Sequence, residues 1–220
     1  MDDSQRFLLL CILIGLSCGV AAVLFHWSIH YLFHSVWDWA TALGGWQFYG
    51  IMLGAPTLGG LLIGISVKTF APDSAGSGIP QTKAAYYNHG GYISSATGFW
   101  RFVLGSLYCG LGNSLGREGP TVHLSSAISS RLGRWIFKDQ NRIQSALPVG
   151  MAAGIAAAFN APLSAITFVF EELLDNFSMK ALGGIVIAVV TAAAVSRSLL
   201  TEDPILSSHI INKEFITSLW

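Results

Sequence analysis

The sequence predicts an all-α polytopic membrane protein with tilted and interrupted helices, on three observations. Hydrophobic residues make up 52% of the chain and charged residues 11%, with a mean hydropathy of +0.56. A water-soluble domain carries about 25% charged residues, so lipid must solvate much of this surface. Stretches free of Asp, Glu, Lys and Arg run over 7–37, 40–67 and 143–170, each longer than the ~20 residues that cross a hydrocarbon core. Glycine and proline cut the apolar sequence at 76–80, 116–120 and 160–162. Backbone at such breaks survives membrane depth only where protein or a water-filled path satisfies it.

Composition also excludes several classes. The 12 Lys and Arg balance the 12 Asp and Glu, so nothing suggests a nucleic-acid partner. Cys11, Cys18 and Cys109 stand in apolar contexts without metal-ligand spacing and read as small core residues. The start, Met1 to Arg6, lacks the basic region of a secretory signal. The apolar run behind it therefore reads as a membrane span.

The charge-free run 7–37 reads as one spanning helix with an amphipathic continuation, which carries His26, His30 and His34 among Trp27, Tyr31, Trp37 and Trp39. Their i, i+4, i+8 spacing puts three imidazoles on one helical face, as a metal site would need. An interfacial polar stripe with its Trp and Tyr belt is the preferred reading. The second span, 40–67, holds Gly44, Gly45, Gly54, Pro56, Gly59, Gly60 and Gly64. Its Gly60-x-x-x-Gly64 spacing is a weak packing signal. Residues 68–80 form a polar break, 81–95 an interfacial segment, and 98–114 a further apolar helix with Arg101 near its start. A helix opened at Pro120 runs over 121–130. The basic cluster Arg131, Arg134, Lys138 and Arg142 assigns its end to the cytoplasm. Residues 143–172 read as two helices divided at Asn160-Ala161-Pro162 and closed by Glu171 and Glu172. A small-residue helix over 181–196 and a polar tail from Arg197 to Trp220 complete the chain, taken as one membrane domain, 1–220.

Two breaks carry chemistry. Gly116-Arg117-Glu118-Gly119-Pro120 places an ionisable pair inside apolar sequence. Such a pair costs about 2.5–3.5 kcal/mol per charge on insertion scales, which makes it a functional hypothesis by default. Pro120 suits the first turn of a helix. Glu118 then sits among free N–H groups at a helix start, where an anion is favoured. Gly76-Ser77-Gly78-Ile79-Pro80 offers a hydroxyl and flexible backbone N–H groups before another helix start, a nest that binds anions without formal charge. A nucleotide site is excluded, because Arg117-Glu118 replaces the Lys-Ser/Thr of a P-loop and the flanking elements are not βαβ units. No catalytic triad or metal cluster has supporting context, so an enzyme is not expected.

These residues resemble a known family. Gly116 to Pro120 matches the central selectivity motif of the CLC chloride channels and chloride–proton exchangers, and Gly76 to Pro80 its first filter motif. Ala156-Ala157-Ala158-Phe159-Asn160-Ala161-Pro162-Leu163, ending in Glu171-Glu172, is similar to the region of its seventh and eighth helices. The resemblance covers the first half of a CLC subunit, the first of two inverted repeats. It implies chloride bound by Ser77 and helix-start N–H groups, Glu118 as the gating glutamate, and Glu172 as the internal proton-transfer glutamate. It further implies chloride–proton antiport in a bacterial inner membrane, a homodimer, a requirement for the second half, and no cofactor or metal. A passive chloride channel shares both filter motifs and is the alternative; the acid at Glu172 favours the exchanger. A half-subunit inactive alone is the third reading.

Overall fold

The structure, a computed structural model, describes residues 3–174 and 179–200. Eight α-helices follow in order: α1 Asp3–Leu43, α2 Gly45–Phe70, α3 Ile79–Asn88, α4 Ser95–Gly110, α5 Glu118–Ile136, α6 Gln140–Phe159, α7 Pro162–Glu172 and α8 Met179–Leu199. A short 3-10 turn, Pro72–Ser74, lies between α2 and α3. Among the described residues, the helices Asp3–Leu43 and Gly45–Phe70 and the segment Ala181–Leu199 are long and apolar enough to cross a membrane. At 1.5 Å per residue α1 is about 60 Å long, twice the hydrocarbon core, so the span and its amphipathic continuation are one helix.

The predicted boundaries shift where local chemistry overrules hydropathy. The second span starts at Gly45 rather than at 40, because Gly44 and Gly45 take φ of 62° and 54° and break the chain after α1. Three of the helix starts follow glycine- or proline-rich breaks as expected. Asn160, at φ 52°, ends α6 in the left-handed region, and Pro162 opens α7. The fourth apolar helix ends at Gly110, four residues early, and Leu111 to Arg117 form a loop into α5. The tail over 201–220 lies outside the described residues.

The core is built from α1, α5, α6 and α8. Its seams are lined by small residues. A Cβ on Gly150 would overlap the Ser129 side chain and lie 2.7 Å from the Ser125 carbonyl, and one on Gly154 would overlap Ser125. Gly150-x-x-x-Gly154 of α6 thus faces Ser125-x-x-x-Ser129 of α5 at backbone distance. Gly15 and Gly19 of α1 meet α8 the same way, with a Cβ on Gly15 landing 2.6 Å from the Ala188 carbonyl. The weak Gly60-x-x-x-Gly64 signal is not such a seam: a Cβ on Gly64 meets nothing within 4 Å. In α2 only Gly59 is buried.

This difference is measurable. Gly150→Ala should destabilise the fold by about 1–3 kcal/mol, the usual cost of overpacking. Gly64→Ala should be neutral or slightly stabilising. Thermal loss of monodispersity in detergent would separate the two; equal midpoints would remove the α5–α6 seam from the core.

Candidate anion and proton site

The two glycine-rich breaks, distant in sequence, meet in space. Gly76 and Gly78 take φ of 80° and 98°, open only to glycine at low cost. This left-handed turn delivers the chain into α3. Gln81 locks it: its Oε1 accepts from the Gly78 N–H at 2.9 Å, and its Nε2 donates to the Ala75 carbonyl at 2.7 Å. The Gly78 carbonyl accepts from the Thr82 hydroxyl at 2.9 Å and from the Thr82 N–H at 3.0 Å. His123 of α5 brings Nδ1 to 3.2 Å of the same oxygen. A carbonyl only accepts, so Nδ1 carries the proton in that contact.

Arg101 holds the loop from behind. Only 5% exposed, it donates through Nη1 to the Gly76 carbonyl at 2.5 Å and through Nη2 to the Ala75 carbonyl at 3.3 Å. The sequence marks Arg101 only as a charge near a helix start, where anchoring at an interface is the ordinary reading. The signal that distinguishes it is its place within a run otherwise free of charge.

The second break opens α5 with Glu118 in its first turn and Pro120 two residues later. The Arg117 carbonyl accepts from the Thr121 hydroxyl at 2.7 Å. The Arg117 guanidinium donates through Nη1 to His26 Nδ1 at 2.9 Å. His26, expected to belong to an interfacial stripe, therefore reaches the second filter segment, while His30 and His34 are exposed. The Glu118 carboxylate folds back over Gly116, where a Cβ would overlap Oε2. Glu118 itself is exposed, whereas every residue from Gly119 to Ala127 is buried.

Contact between the segments is direct. A Cβ on Gly119 would overlap the Ser77 carbonyl, and one on Gly78 would lie 2.6 Å from the Gly119 carbonyl and 2.9 Å from His123 Cβ. The starts of α3 and α5 are therefore in backbone contact, with Ser77 and Glu118 both exposed at the junction. Each helix start supplies free N–H groups and the positive end of a dipole.

Glu171 and Glu172 have separate surroundings at the end of α7. Glu171 is exposed, whereas Glu172 Oε1 lies 4.0 Å from Lys83 Nζ of α3. One turn along α3, the Tyr87 hydroxyl donates to the Leu173 carbonyl at 2.8 Å. The far end of α3 is tied to the α5–α6 junction: Gln144 donates to the Tyr86 carbonyl at 2.7 Å and Gln140 to the Gly90 carbonyl at 2.8 Å. Arg134 donates to the Ile93 carbonyl at 3.2 Å. This is the end of the molecule that carries the basic cluster, so Glu172 lies toward the side assigned to the cytoplasm.

The H(+)/Cl(-) exchange transporter ClcA of Vibrio campbellii is 31% identical over 99% of this chain and 47% of its own length. A slow cyanobacterial Cl-/H+ antiporter superposes with a TM-score of 0.82 at 26% identity, over 92% of this chain and 49% of the other. A CLC-type fluoride/proton antiporter, 24% identical, shares the fold with a TM-score of 0.73 over 99% of this chain and 54% of its own. The chain thus spans about half the length of these relatives. The profile of the family described as voltage gated chloride channel matches residues 59–220, covering both filter segments and the interrupted pair α6–α7. By profile, relatives and fold alike, this all-helical integral membrane chain belongs to the CLC family of voltage gated chloride channels.

Proposed function

We propose that the chain is the first of two inverted repeats of a CLC subunit, and that the assembled protein exchanges chloride for protons across a bacterial plasma membrane. The observation that carries this reading is the backbone contact of the α3 and α5 starts, with Glu118 exposed where they meet. Chloride, stripped of water, is held by the Ser77 hydroxyl and by free backbone N–H groups in the segments that lead into Pro80 and Pro120. Ionised Glu118 competes for the outer anion position as a tethered carboxylate. Protonation removes that charge, opens the position to chloride and loads a proton. Glu172 exchanges protons with the inner solution, which its place at the cytoplasmic end of α7 supports. Arg117, held by His26, fixes the entry to α5. No cofactor is invoked. A homodimer is part of this proposal, as is the reading of residues 1–220 as a single membrane domain with 143–172 as its interrupted helix pair.

The antiport reading rests on the relatives at 31% identity named as exchangers. Glu118→Gln, in the assembled protein in liposomes, should keep chloride flux and abolish proton movement, because the gate no longer titrates. Simultaneous recording of chloride efflux and proton uptake checks it; persisting proton coupling would remove Glu118 from the proton path. A wild-type protein that moves chloride without protons would establish the passive channel instead.

Ser77 gives an independent test of the filter. Ser77→Val removes one donor to a charged ligand, worth roughly 1.5–3 kcal/mol, so chloride binding should weaken by about ten-fold or more. Unchanged affinity by calorimetry would leave the segment as a helix cap only.

The chain alone should not transport. The exposed helix starts need partners at membrane depth, and the relatives are twice as long. Purified by itself, the 220-residue chain should give no saturable chloride flux, with flux appearing on co-expression of a second-half polypeptide. Saturable flux from the chain alone would instead mean that two copies build the site.

A further inference from the structure

We infer that Lys83 is a positioning residue for the inner proton-transfer step, holding the Glu172 carboxylate from the same short helix that opens at the anion filter. This rests on the role proposed above for Glu172.

The grip has two points. Lys83 and Tyr87, four residues apart, project from one face of α3. Lys83 Nζ reaches Glu172 Oε1 at 4.0 Å, and the Tyr87 hydroxyl donates to the carbonyl of the next residue, Leu173, at 2.8 Å. A side chain and the adjacent backbone are thus held together, which fixes the end of α7 in position and rotation. The helix that does the holding is itself fixed. Thr82, beside Lys83, is fully buried and donates to the Gly78 carbonyl. Gln144 secures the Tyr86 carbonyl, next to Tyr87. Gly78 leaves no room to slide, being jammed against the Gly119 carbonyl. Lys83 therefore presents its ammonium from a rigid base that is continuous with the filter.

The chemistry follows from which oxygen is occupied. Lys83 approaches Oε1, leaving Oε2 to receive the proton. Both side chains are half-exposed, 41% and 43%, at the end assigned to the inner solution. A hydronium ion there gives its proton to Oε2, forming a neutral carboxyl and a water molecule. The carboxyl no longer carries the charge that drew it to Lys83. It is then released to turn and pass the proton inward, and it returns to the ammonium once ionised. Glu171, adjacent and exposed, lacks this partner.

The test compares Lys83→Met, Lys83→Gln, Lys83→Arg and Glu172→Gln in proteoliposomes holding the assembled transporter, with chloride efflux and proton uptake recorded together. Lys83→Met and Lys83→Gln should lower the proton-to-chloride ratio by about two- to five-fold, the range an exposed ion pair commands. Lys83→Arg should restore the wild-type ratio. Lys83 is half-exposed, so Lys83→Gln provides the measurement if Lys83→Met aggregates. A role in folding alone would lower both fluxes in proportion; an unchanged ratio therefore overturns the inference. If the neutral variants keep the wild-type ratio while Glu172→Gln abolishes proton uptake, Lys83 falls and Glu172 stands. Proton uptake that survives Glu172→Gln overturns the underlying assignment and this inference with it.

Discussion

Nothing larger than hydrogen fits between Gly119 and the Ser77 carbonyl, and the arrangement of the site depends on that contact. It brings the starts of α3 and α5 to one place although 41 residues separate Gly78 from Gly119. Two helix starts at one point bring the positive ends of their dipoles together, the arrangement that generally favours an anion. Arg101 and His123 then act on the carbonyl side of the loop. Their donors occupy the Gly76 and Gly78 carbonyl oxygens, which would otherwise repel an anion.

The same economy of side-chain volume runs through the core. The α5 helix is buried along Gly119 to Ala127 yet carries Thr121, His123, Ser125 and Ser126 there. In lipid no hydrophobic force drives helices together, so close packing must do so. Serine on α5 against glycine on α6 permits backbone approach that leucine would forbid. A helix with this many hydroxyls reads weakly as a membrane span by hydropathy, and α5 is indeed not among the helices apolar enough to cross alone. Its burial comes from neighbours, not from its own composition.

That distinction explains what the sequence discloses. The breaks at 76–80, 116–120 and 160–162 are legible because glycine and proline act locally, through φ and a missing N–H. Glu118 in a first turn is legible for the same reason. Helix ends at 45 and 110 are less so, since hydropathy does not register where backbone hydrogen bonding stops. The seams are not legible at all: Gly60-x-x-x-Gly64 and Gly150-x-x-x-Gly154 share a spacing, and only in the second do both glycines meet a partner helix at backbone distance. Arg101 to Gly76, His26 to Arg117 and Lys83 to Glu172 are contacts between distant segments, for which one sequence holds no signal. His26 shows the cost of this, since the face-by-face reading that places it at an interface stops one contact short of the filter.

A gate that works by titration needs a moving part small enough not to disturb its frame. In the proposed cycle these roles fall to adjacent residues. Gly119 is locked against Ser77, and all that follows it through Ala127 is buried. Glu118, one residue earlier, is exposed and bends back over Gly116, where any Cβ would collide with its carboxylate. In the proposed cycle the glutamate therefore has room to leave and re-enter the anion position by rotating its own side-chain bonds. Such rotations in exposed residues take picoseconds to nanoseconds, far faster than motion of the packed helices behind them. Under the proposed mechanism the frame remains in place while one carboxylate moves, and protonation of that carboxylate decides whether chloride or the glutamate occupies the site.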